Sequence, residues 1–102
     1  MKIAMLQMPV GFDKEENIRK ARSAVRWAAE QGAEMAILPE MWNCPYSNQY
    51  FPQYAEEGIG STRQALIEMA KENKLWLVGG SIPECEDGKI YIYKVAYKAV
   101  LS

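Results

Sequence analysis

The apolar positions of this chain fall in short blocks whose spacing changes from one block to the next. Lys2 to Met8 holds Ile3, Ala4, Met5 and Leu6 in a row, which predicts a first strand apolar on both faces, closed by a turn at Pro9 and Gly11. From Asp13 the spacing lengthens. Ile18, Ala21, Val25 and Ala28 recur at steps of three and four, the stripe of a helix that faces a core. Asp13 with Glu16 makes a capping-box pattern, acidic residues crowd the first turn, and Gly32 supplies the stop. Glu15 with Arg19 and Glu16 with Lys20 stand four apart and are expected to pair. Met35 to Leu38 predicts a second strand, ended by Pro39, and a polar and aromatic loop follows from Glu40 to about Tyr54. Ser61 and Gln64 predict a second capping box, opening a helix to about Lys74 with Leu66, Met69 and Ala70 inward. Leu75 to Val78 predicts a third buried strand, running into Gly79, Gly80 and Ile82. Asp87-Gly88 is a two-residue hairpin signal. Beyond it Tyr91, Tyr93, Val95, Tyr97, Ala99 and Leu101 alternate with a set that contains Lys94 and Lys98, as in a half-buried final strand.

Strands interleaved with helices argue for an α/β layer. Three of the strands read as apolar on both faces, the pattern of a sheet covered on both sides. Two short helices cover one face only. The other face needs a partner layer, either more chain or another molecule, so the fold is expected to be incomplete alone.

Composition narrows the chemistry. The chain has 102 residues, 49% apolar and 25% charged, with a net charge of −1. That is one domain with enough apolar content for a core, and it argues against a disordered chain or a nucleic-acid binder. No apolar run approaches a membrane span or a secretory leader, so no membrane is expected and a cytoplasmic location follows. There is no histidine. Ser-His-Asp and Cys-His nucleophile pairs and His-ligated metals are thereby excluded, and no metal or cofactor is expected. Cys44 and Cys85 are read as free thiols. Chemistry must therefore run on carboxylates, lysines or a thiol.

Glu40 stands where a buried strand ends and a loop begins, a usual place for site residues in α/β folds. A carboxylate partly withdrawn from water at such a rim can act as a general base, although a solvated loop glutamate is the ordinary alternative. Cys44, on the same loop, reads as a small packing residue. Cys85, among Glu84, Glu86 and Asp87, lacks the electropositive niche a reactive thiol needs. Gly79-Gly80 lacks the spacing of a phosphate-cradling loop and reads as a close approach of backbones. Arg19, Arg22 and Arg26 line a solvated helix flank, and Trp27 sits on the polar side, packed under a loop or in a subunit contact.

Ile37-Leu38-Pro39-Glu40, then Asn43, Pro45-Tyr46, Tyr50-Phe51-Pro52 and Tyr54-Ala55-Glu56, resemble the nitrilase or carbon–nitrogen hydrolase superfamily. Gly79 to Glu84 and Asp87 to Tyr91 continue the match in order, and the aromatic loop is most similar to the ω-amidase branch. The resemblance covers residues 2 to about 91. It implies the N-terminal part of an αββα sandwich, with a mixed sheet covered by two helices on one face, and hydrolysis of the amide of small dicarboxylate monoamides. It also implies a Glu-Lys-Cys site: a glutamate base, a cysteine nucleophile and a lysine that steadies the tetrahedral intermediate. Only Glu40 carries over, as the base. Tyr46 matches an aromatic that lines the substrate pocket, with loop packing as the alternative. The family's lysine and cysteine come after the Lys89-Ile90-Tyr91 strand and have no counterpart here.

Two domains of resemblance follow: residues 1–91 as hydrolase, and residues 92–102 as a divergent or frame-shifted tail that forms a terminal strand. The expected function is that of a shortened ω-amidase-like hydrolase, silent as written, and whether this chain is itself an enzyme stays open. The alternative is a non-catalytic interaction module that associates through the uncovered sheet face. Expected partners are a small amide in the complete family and a second copy or another chain on the exposed sheet.

Overall fold

A computed structural model describes residues 1–45, 49–57, 60–86 and 89–97, with the backbone alone for 90–97. The elements are β1 (Ile3–Met5), α1 (Lys14–Glu30), β2 (Met35–Ile37), α2 (Phe51–Tyr54), β3 (Glu56–Glu57), α3 (Ser61–Asn73), β4 (Trp76–Glu86) and β5 (Lys89–Tyr97). The sheet is mixed. β1, β2, β4 and β3 run parallel, β2 and β3 pairing with different stretches of the same edge of β4, and β5 pairs antiparallel along its other edge.

Helix α1 forms as its stripe predicts: Ile18, Ala21, Val25 and Ala28 are all buried, and Asp13 Oδ1 accepts from the N–H groups of Glu15 and Glu16. The predicted side-chain pairs differ. Glu16 binds Arg19, three residues on, and Arg26 pairs with Glu30, because positions three and four apart are both neighbours on a helix. Gly32 takes φ 85° just past the end, the left-handed cap conformation. Arg22 does not simply face water: it reaches across to Glu68 and Glu72 on α3, at 3.3 and 3.4 Å.

Helix α3 starts without the expected serine cap. Ser61 is already helical, Gly60 is the capping residue, and the carboxylate of Glu56 satisfies the helix instead, accepting from the Thr62 N–H at 2.9 Å. A carboxylate held by the neighbouring strand meets both the free N–H groups and the positive end of the helix dipole, which a neutral hydroxyl does less well. Leu66, Met69 and Ala70 face inward as expected. The polar and aromatic loop expected from Glu40 to about Tyr54 contains one short helix, α2, and the two-residue strand β3 follows it. The strand expected from Leu75 to Val78 starts at Trp76 and continues through the glycines to Glu86.

Both long helices lie on one face. Residues from α1 and α3 share a single core with Leu6, Ala36, Leu38, Trp42, Leu77 and Ile82. The other face carries two apolar rows set by the register: Ile3, Met35 and Trp76, then Met5, Ile37 and Val78. Ile3, Met5 and Trp76 are 51%, 80% and 42% exposed. Apolarity on both sides of these strands therefore does not mean cover on both sides. The Asp87-Gly88 turn lies outside the described residues, and the ladder closes at Glu86 and Lys89. β5 runs through residues 91 and 92 without interruption.

Candidate active site

Glu40 stands on the edge of β4 that β2 and β3 also occupy, between their contact points, because β5 takes the opposite edge. It forms a parallel bridge with Ser81. Along β5, Lys94 and Ala96 are two apart, whereas their partners Ser81 and Val78 are three apart. This bulge keeps Val78 and Ser81 on one face although Ser81 is three positions after Val78, an odd step that alternation would put on the opposite face. Glu40, as the neighbour of Ser81, shares the face opposite the helices, at the end of the apolar rows.

The backbone around it is tightly fixed. Leu38 N–H donates to Val78 O, Met41 N–H donates to both Ser81 O (2.7 Å) and Ser81 Oγ (3.1 Å), and the Trp42 indole donates to Gly79 O at 2.7 Å. Gly80 has φ 66°, and a Cβ there would overlap the Pro39 carbonyl oxygen. The double glycine thus does bring two backbones together, in the middle of β4 and directly under Glu40. Met41 takes φ 51°, a strained value for a non-glycine residue immediately after the candidate base. The Glu40 residue itself is exposed, so the desolvation expected at the rim is absent while that sheet face stays bare.

Cys44 is fully buried with Met41 and Tyr54, and its thiol donates to Pro45 O at 3.3 Å. Burial pushes its pKa up to about 11, and nearby Lys14 offsets only part of that. It is a protonated packing thiol at neutral pH, as its sequence setting suggests. Cys85 is half-buried, and both cysteines are free. Tyr46 lies outside the described residues, as does Lys98, and Lys94 is placed only by its backbone in β5. Among the described residues no three His, Cys, Asp or Glu side chains converge as metal ligands would.

A polar cluster behind the loop was not legible in the sequence. Lys14 Nζ lies 2.9 Å from Glu56 Oε2, Glu56 also binds Thr62, and Thr62 Oγ1 accepts from Asn43 Nδ2 at 3.1 Å. Burial alone would raise the Glu56 pKa, but Lys14 and the two Thr62 donors outweigh it and hold the carboxyl below its usual range. Glu84, beside Glu56 in the ladder, has its own cation in Arg63 at 2.6 Å. Thr62 and Lys14 are single residues with no motif around them, so their meeting depends on the fold.

The arrangement is a carboxylate on a rigid ledge above an uncovered apolar surface, with no activated thiol among the described residues. The carbon–nitrogen hydrolase family profile matches residues 2–99, and the chain belongs to that family. Among individual relatives, mouse omega-amidase NIT2 is 48% identical over 90 residues, 88% of this chain and 33% of that protein. A hydrolase of Schizosaccharomyces pombe is 47% identical over 92 residues, 88% of this chain and 29% of that one. The crystal structure of Saccharomyces cerevisiae Nit3, a member of branch 10 of the nitrilase superfamily, superposes with a TM-score of 0.89 at 32% identity. It covers 96% of this chain and 40% of its own. The chain thus spans about a third of the length of these curated relatives, and its fold matches the N-terminal part of the nitrilase fold.

Proposed function

We propose that these residues form the base-bearing part of an ω-amidase-like hydrolase acting on small dicarboxylate monoamides, with Glu40 as general base and Tyr46 against the substrate. What carries the reading is the position of Glu40, pinned between Pro39 and Met41 to the Gly79–Ser81 bulge and facing the bare side of the sheet. A base must be held within hydrogen-bond reach of the proton it takes, and a fixed ledge supplies that geometry. In the family reading Glu40 takes the proton of a cysteine thiol, the thiolate adds to the amide carbonyl, and a lysine steadies the oxyanion. Neither that thiol nor that lysine has a counterpart among these 102 residues. Cys44 does not substitute, because its buried thiol stays protonated.

A polypeptide of these 102 residues alone is therefore silent. Incubated with a small dicarboxylate monoamide, it is expected to release no ammonia above buffer. Ammonia release abolished by Cys44→Ala would overturn the reading. The cytoplasm, where free thiols persist, is the compartment this function assumes. No helix among the described residues is long and apolar enough to cross a membrane.

A second reading rests on exposed Ile3, Met5 and Trp76: a non-catalytic module that associates, with itself or another chain, through this face. Its mark would be a defined dimer or complex that Met5→Glu dissolves.

A further inference from the structure

The segment from Asn43 to Glu56 leaves the sheet edge just after Glu40 and returns to it at β3, and both of its ends meet one side chain. Thr62, the second residue of α3, is fully buried, as is Asn43. Its hydroxyl accepts from Asn43 Nδ2 at 3.1 Å and donates to Glu56 Oε2, while its backbone N–H donates to Glu56 Oε1 at 2.9 Å. A hydroxyl has one proton and two lone pairs, so both side-chain bonds form at once. Lys14 Nζ meets the same Glu56 Oε2 at 2.9 Å and also reaches Tyr54 O at 3.4 Å. Gly60 makes room for the contact, since a Cβ there would overlap the Glu56 carboxylate.

We propose that Thr62 is a positioning residue whose hydroxyl clasps the two ends of the 43–56 segment and holds those ends in place behind Glu40. This deepens the reading of Glu40 as the base and rests on it. The ledge from Leu38 to Trp42 is held by β4. The clasp takes over at the next residue, so Asn43 at one end of the segment and Glu56 at the other are both tied to α3. Removing the hydroxyl leaves an amide donor and a carboxylate oxygen in a buried place without their shared partner.

The test is backbone amide exchange by NMR on the full 102-residue chain, comparing wild type with Thr62→Val and Thr62→Ser. The valine variant is expected to speed exchange about tenfold at Cys44, Tyr54 and Ala55, and to leave Val25 and Ala28 of α1 unchanged, with serine restoring the wild-type pattern. A uniform rise that includes α1, no rise at all, or no rescue by serine would each overturn the proposal. If Thr62→Val unfolds the chain, Gly60→Ala, which displaces the Glu56 carboxylate, decides in its place. The same selective loosening supports the clasp, and a uniform rise or unfolding overturns it. Exchange reports the loop and ammonia release reports chemistry, so the clasp and the reading of Glu40 can fail separately.

Discussion

Leu77 and Trp76 are neighbours on β4 and point to opposite sides of it. Leu77 is fully buried under the helices, whereas Trp76 is 42% exposed. The same division runs across the sheet. Ala4, Ala36 and Leu77 face α1 and α3, and Ile3, Met35 and Trp76 form the row behind them. Both rows are apolar, so hydrophobic pattern does not separate them. What separates them is the supply of covering elements, since two amphipathic helices offer two apolar stripes and both are spent on one face. On the proposed reading of Glu40 the difference also separates stability from chemistry. The covered face holds the fold together, and the uncovered face carries Glu40 at its end, where a dry site needs a second layer.

The contrast breaks most visibly at Trp42, which is fully buried on the covered side with its indole bonded to Gly79 O. Trp42→Ala should cost about 3–5 kcal/mol in urea unfolding, a large share of a margin of about 5–15 kcal/mol. Next comes Gly80→Ala, which puts a methyl group against the Pro39 carbonyl in a left-handed conformation. A loss of about 2–3 kcal/mol is expected, with the Glu40 ledge displaced from Ser81. Acid should act more gently. The Glu56 carboxyl is held below its usual range by the fold, so its stabilisation is complete above the ordinary carboxylate range. It is lost as pH falls through the lowered value, and Glu56→Gln should flatten that acid limb in a pH series of melting curves. Smallest is Met5→Ser on the bare face, expected to change stability by less than about 0.5 kcal/mol while reducing binding of a hydrophobic dye.

Much of this fold can be read from periodicity. The stripe of α1, the inward residues of α3 and the need for one more layer follow from local spacing, because each expresses an apolar face of a single element. The cap of α3 does not. Ser61 and Gln64 satisfy a local rule, yet Glu56 wins the helix end through a contact from another element. Lys14, Asn43 and Thr62 are equally silent in sequence, since their bonds join segments far apart in the chain. For the site, the place of Glu40 at a strand end is legible, and so is the close approach at Gly79-Gly80. The face on which Glu40 stands is not legible, because the bulge at Val78 to Ser81 shifts the alternation there.

Glu40 is proposed as a base on a ledge that works once a second layer covers it. The most direct measurement replaces the matching third of mouse omega-amidase NIT2 with this chain and follows ammonia release from a small dicarboxylate monoamide. The hybrid should turn over, and Glu40→Gln should lower its rate by about 10²–10⁴-fold without changing its melting temperature. A folded, active hybrid that works equally well with Glu40→Gln would show that Glu40 is not the base.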